Sequence, residues 1–174
     1  MLKTLALVAA VALAGLLVYA GTRPDSFRVA RSVTVQAPAA RLHGMIDDLH
    51  RFNTWNPFVR NDPKVQGEYS GPPAGPGAAY SFEGGKSGAG SLRILASGPD
   101  RVAMELHMRE PMEGRNSVQF TLAPRGDATE VTWAMEGPTP YISKLIGVFV
   151  DMDRMIGSEF ENGLADLKQR AERT

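Results

Sequence analysis

The sequence predicts an α+β fold, a curved antiparallel sheet of six to seven strands crossed by one long C-terminal helix. Three observations predict it. One alternating segment and a short helical stretch are followed by further apolar segments, divided by Gly- and Pro-rich breakers. From Ile142 to Arg170 the period changes to 3.6, with Ile142, Leu145, Ile146, Phe149, Ile156, Phe160, Leu164 and Leu167 on one face. The helices stand apart from the run of strands, and that grouping argues for hairpins over parallel crossovers.

Each element has its own signal. After Lys3, Leu5 to Ala20 is apolar apart from small residues and Tyr19. That length fits a membrane span, which needs roughly 17 residues or more, or a signal-peptide core of roughly 7–15. Val18-Tyr19-Ala20 ends on a small residue that a signal peptidase accepts, whereas Tyr19 and Arg23 fit an interfacial anchor. Residues 1–21 are therefore set apart as an N-terminal transmembrane anchor or signal segment. The expectation is a single-pass anchor carrying an extracytoplasmic domain, with a secreted or periplasmic domain after cleavage as the alternative. Lys3 favours an inside N-terminus, a preference that Arg23, Arg28 and Arg31 weaken.

Residues 22–26 form a linker and 27–170 one domain. Phe27, Val29, Arg31, Val33 and Val35 alternate as a strand, and Pro38 opens a helix through Leu42, Met45, Ile46 and Leu49. A helical turn over Arg51–Trp55 is expected to stop before Pro57. Strands follow at Val65–Ser70, Tyr80–Phe82, Leu92–Ile94, Val102–Met108, Val118–Leu122 and Val131–Met135. Arg125-Gly126-Asp127 forms the last hairpin turn.

Composition narrows the function classes. The formal net charge is zero and no basic run exceeds a pair, so nucleic acid is not an expected partner. Cysteine is absent, which excludes disulfides, thiolate metal sites and cysteine nucleophiles. Gly84-Gly85-Lys86-Ser87 imitates the end of a phosphate-binding loop, but Tyr80 stands where that motif needs glycine and a strand follows instead of a helix. His43, His50 and His107 have no ligand spacing and are expected to be solvated, with no metal or cofactor. No Gly-x-Ser-x-Gly elbow is present. Glu83, Glu113, Glu136 and Asp153 lie near strand ends or the last helix, where a general acid or base would have to sit. Met104, Met108, Met112, Met135, Met152 and Met155 suit either an adaptable cavity or plain core packing.

Asp153 stands out because it interrupts the apolar stripe of the last helix. A carboxylate there needs a partner, a raised pKa or a wet cavity. Its structural alternative is a cap, or an ion pair with Arg115 or Arg101, with Gly157 kinking the helix.

Three local patterns then add a family. Ala37-Pro38-Ala39-Ala40-Arg41-Leu42 resembles a helix entry, Phe52-Asn53-Thr54-Trp55-Asn56-Pro57-Phe58 a W-x-P segment, and Thr129-Glu130-Val131-Thr132-Trp133 a last strand of the START/Bet v 1-like (SRPBCC) superfamily, of polyketide cyclase/dehydrase and lipid-transport type. The resemblance spans Phe27 to Lys168. It implies a helix-grip fold with a hydrophobic cavity between sheet and final helix, and a ligand that is lipid-like or otherwise small and hydrophobic. No catalytic role carries over. Within that frame Trp55, Tyr80, Met104, Leu106, Trp133, Phe149, Ile156 and Phe160 are expected to line the cavity, with Asp153 orienting a polar group. Leu145–Val150 would be a lid or membrane-facing entrance. Alternatives are a cyclase or hydratase-type enzyme and a co-chaperone-like interaction module with a solid core.

Overall fold

The computed structural model describes residues 1–173. An apolar helix α1 (Leu2–Gly21) precedes the edge strand β1 (Ser26–Val35) and three short helices, α2 (Ala39–Ile46), α3 (Leu49–Asn53) and α4 (Pro57–Arg60). Six strands follow: β2 (Gln66–Ser70), β3 (Ala79–Glu83), β4 (Ala89–Gly98), β5 (Arg101–Glu110), β6 (Gly114–Arg125) and β7 (Ala128–Pro138). Helices α5 (Tyr141–Ile146) and α6 (Met152–Glu172) complete the chain. The sheet is antiparallel throughout, in the order β1-β7-β6-β5-β4-β3-β2. It is a helix-grip α+β fold.

Register fixes which residues share the concave face, because opposed residues in an antiparallel pair point the same way. One row runs Val33–Val131–Leu122, the next Arg31–Trp133–Phe120–Val102, and the next Val29–Met135–Val118–Met104–Ile94. The turn between β6 and β7 needs two residues, and Gly126 takes φ of +65° in its first position.

Two local expectations differ from the structure. The single helix expected from Ile142 to Arg170 is two helices. Asp151 ends the break between them by capping α6, its carboxylate accepting the Arg154 N–H at 2.9 Å. The stretch Leu145–Val150 is apolar on every side, so one buried stripe could not accommodate it. The helical turn expected to stop before Pro57 does so as α3, and Pro57 then opens α4, with Asn56 capping through the Phe58 N–H. Gly157 does not divide α6, which continues from Met152 to Glu172. A Cβ at Gly157 would lie 2.0 Å from Arg31 Nη2, so the glycine is where that guanidinium passes against the helix.

Candidate ligand-binding site on the concave face

The concave face has a closed end and an open end. At the closed end α2, α3 and the C-terminal half of α6 deliver Leu42, Ile46, Leu49, Phe52, Leu164 and Leu167 onto the sheet, all buried. Trp55, directly after α3, meets Trp133 edge-on at 5.7 Å, and Trp133 stacks on Phe160 at 4.1 Å. Phe52 and Phe120 fill the remaining edges of this cluster. Edge-to-face and offset pairs of this kind contribute about 0.5–1.5 kcal/mol each beyond simple burial. Gly163 allows the approach, since a Cβ there would come within 2.8 Å of both Pro57 and Trp133. The Trp55 indole N–H donates to the Met45 carbonyl at 3.0 Å, whereas that of Trp133 is buried without an acceptor among the described residues.

Five of the expected lining residues are buried: Trp55, Trp133 and Phe160 in the aromatic cluster, Met104 one row away on β5, and Tyr80 on β3, which continues the Leu92–Leu106 row and packs against Tyr69 and Phe82. Leu106 and Ile156 are half-buried and rest against the core at its boundary. Phe149 stands outside, fully exposed in the break between α5 and α6.

The open end lies where β1 begins, beside the β3–β4 and β5–β6 turns. Its row runs Phe27–Gly137–Asn116–Leu106, with Met108 and Phe82 along the same margin. Phe27, Phe82, Leu106, Met108 and Asn116 are all half-buried. Gly137 and Gly90 keep the floor low; a Cβ at the first would meet Asn116 Oδ1 at 2.0 Å, and at the second Phe82 Cζ at 2.8 Å. Asn116 is the polar group in this apolar row. Sequence reasoning passed over it, although it occupies the core parity of β6 with Val118, Phe120 and Leu122.

Asp153 meets an arginine, though neither of the two expected. Arg31, on the concave face of β1, donates to Asp153 Oδ2 at 2.9 Å and Oδ1 at 3.2 Å, and to Glu161 Oε1 at 2.7 Å. The Asp153 side chain is 60% exposed. Hydrogen bonding from Arg31 holds its carboxyl below the usual carboxylate value, against a smaller desolvation effect. Both carboxylates in turn raise the Arg31 guanidinium further above its ordinary value. Asp153 stays ionised at neutral pH and fastens α6 to the edge strand.

Other candidate groups also have partners. The Gly84–Ser87 turn wraps its amides around a carboxylate of the chain itself: Asp62, buried, accepts the N–H of Lys86 at 2.6 Å and of Ser87 at 2.9 Å. Those bonds, led by Ser87, lower the Asp62 pKa. A Cβ at Gly85 would fall 2.1 Å from Asp62 Oδ1, which accounts for the glycines. Of the histidines expected to be solvated, His50 is exposed, whereas His43 and His107 are half-buried. His43 Nε2 contacts Ser97 Oγ at 2.9 Å, His50 stacks on Tyr69 at 3.7 Å, and His107 Nε2 faces Glu113 at 3.6 Å. The His43–Ser97 contact lies in a surface groove of about 520 Å³ on the far side of α2, with Asp100 at its rim. Among the described residues no hydrogen bond joins Asp100 to either side chain, so the pair lacks the orienting acid of a Ser–His catalyst.

Comparison with known proteins agrees with this architecture. A family model described as polyketide cyclase / dehydrase and lipid transport matches residues 26–172. Protein CV1439 from Chromobacterium violaceum superposes with a TM-score of 0.62 at 19% identity, covering 87% of this chain and 100% of that one. The Aha1 dimer from Colwellia psychrerythraea gives 0.61 at 13% identity, over 84% and 97% of the two chains. A solution structure from Thermobifida fusca gives 0.59 at 24% identity, over 84% and 93%. At these identities the likeness concerns the fold. No curated protein matches the chain.

Proposed function

The chain belongs to the polyketide cyclase / dehydrase and lipid transport family, and on that premise we propose that it binds a small hydrophobic, lipid-like molecule at the open end of the concave face while tethered to a membrane by α1. The observation that carries this is the half-buried row Phe27–Asn116–Leu106, an apolar floor with one amide facing the same side. A ligand pocket commonly has such a composition, mostly apolar with few polar groups that set orientation. A ligand's apolar body would rest on Leu106, Met108 and Phe82 and extend towards Ile156, with Asn116 engaging its polar end. Trp55, Tyr80, Met104, Trp133 and Phe160 form the wall behind it, and the Trp133 N–H is a buried donor within reach of that wall. Asp153 acts through Arg31 by fixing the N-terminal turn of α6 above the row.

The tether rests on α1, which has a mean hydropathy of 2.2 and is long and apolar enough to cross a membrane. At 1.5 Å per residue its 20 residues reach about the 30 Å of a bilayer core. The full chain extracted under mild conditions is expected to carry or take up lipid-like molecules in native mass spectrometry. Empty protein across a panel of phospholipids, fatty acids and isoprenoids would overturn the reading.

A second reading, a protein-interaction module, draws on two observations: the closed end is filled by side chains, and α5 with the segment after it exposes apolar surface. It requires Phe149 to bury against protein, which the experiment in the next subsection distinguishes.

A further inference from the structure

Exposed large apolar residues are unevenly distributed over the domain. Phe58, Tyr69, Leu95 and Met112 occur singly, as on most surfaces. In the segment from Tyr141 to Met155 they crowd together: Ile142 is 54% exposed, Phe149 77% and Met155 53%, with Ile146, Val150 and Met152 between them. The cation of this segment's first turn is turned away from the patch. Lys144 is buried, its Nζ 2.5 Å from Asp25 Oδ1.

The patch adjoins the end of α1. The Tyr141 hydroxyl donates to the Leu17 carbonyl at 2.8 Å, and a Cβ at Gly21 would reach the Tyr141 ring. Arg23, just past α1, hydrogen-bonds the Gly147 carbonyl. Leu17 lies about 6 Å before the end of α1 at 1.5 Å per residue. If α1 spans a bilayer, the element bonded to Leu17 therefore lies at the headgroup–acyl boundary, a few ångströms inside the end of the span. Tyr19 and Tyr141 fit that level, where amphipathic rings concentrate.

We infer that Tyr141–Met155 is a second, interfacial membrane contact: α5 and the following turn insert their apolar side chains at the headgroup–acyl boundary and seat the domain on the bilayer. The inference rests on the tether reading and adds an orientation. Thr139 N–H bonds the Asp25 carbonyl at 2.7 Å, and Phe27 lies opposite Gly137, so the same corner of the molecule holds α5, the start of β1 and the open end of the concave face. The row Phe27–Asn116–Leu106 consequently opens beside the lipid surface, and the ligand class that reaches it directly is a component of the bilayer. Partial burial of an apolar face at this depth is how interfacial helices bind.

The chain contains no cysteine, so single labels report cleanly. Phe149→Cys, and Leu95→Cys on a different face as control, are each labelled with an environment-sensitive fluorophore on the full chain. The proteins are reconstituted into phosphatidylcholine–phosphatidylglycerol vesicles with or without lipids brominated along the acyl chain. The expected result is flotation of both proteins, a blue-shifted Phe149→Cys label quenched severalfold more than the Leu95→Cys label, and a water-like Leu95→Cys spectrum. Flotation with a water-like Phe149→Cys label would overturn the seat while leaving the tether intact. Failure to float would overturn the tether and the seat with it. A blue shift without lipid quenching would show the label buried against protein, in its own chain or a second copy, and overturn the seat.

Discussion

The two ends of the concave face are made by the same strands and differ in what the helices put on them. At one end α2, α3 and α6 press Phe52, Trp55, Phe160 and Leu164 onto Trp133 and Phe120, leaving these side chains buried. At the other, Phe27, Leu106, Met108 and Asn116 have the same parity on β1, β5 and β6 but stay half-buried. One sheet thus separates two tasks. The filled end supplies stability, and on the proposed function the open end keeps apolar surface available at little structural cost, as binding surfaces of low local stability require.

Mutations should separate the ends in proportion. Trp133→Ala removes the ring that Trp55 and Phe160 pack against, and is expected to cost about 3–5 kcal/mol in urea unfolding of the full chain in detergent. Leu106→Ala, at the open end, should cost only about 1 kcal/mol, because the side chain is only partly buried. A Leu106→Ala loss as large as that of Trp133→Ala would abolish the distinction between the ends. Gly157→Ala drives a methyl into the Arg31 guanidinium, the free end of a flexible side chain, and should cost no more than about 1 kcal/mol, with Arg31 displaced from Asp153 and Glu161.

Asp153→Asn should have the smallest effect, a slight drop in melting temperature at neutral pH, as expected of an exposed ion pair. Its pH dependence has a definite sign. The Asp153 pKa is lower folded than unfolded, so the Arg31 contact stabilises above the unfolded value of about 3.9 and fades as pH falls through the folded value. The gap between wild type and Asp153→Asn should accordingly close on acidification below about pH 4, by thermal melts across pH. A gap that widened there would contradict the assigned pair.

Much of this was legible in the residues and some was not. Strand alternation placed Val102, Met104, Val118, Phe120 and Val131 on one face because period 2 depends only on local geometry. The same alternation carried Arg31 and Asn116 in the apolar rows of β1 and β6, a signal that could have singled out both and was passed over. It could not pair Arg31 with Asp153, a contact between residues 122 positions apart. Helical periodicity found α6 and ran through its start, because Ile142, Ile146 and Phe149 fit the stripe while facing outward. Periodicity registers that a face is apolar and is silent on what covers it. Of the aromatic residues expected around a cavity, Trp55, Tyr80, Trp133 and Phe160 are interior and Phe149 is not, and only three-dimensional packing shows that Trp55, Trp133 and Phe160 fill their own space.

The central claim is that the open end binds a lipid-like molecule, and native mass spectrometry of wild type against Leu106→Trp tests it most directly. The variant places a large ring across the row Phe27–Asn116–Leu106 at a side chain only partly buried at the edge of the core. With both full chains in the same detergent and lipid panel, wild type should retain one lipid-like molecule, and Leu106→Trp should bind it at least about tenfold more weakly, about 1.4 kcal/mol, with its melting temperature nearly unchanged. Equal binding by the two proteins, or no binding by wild type, would contradict the account.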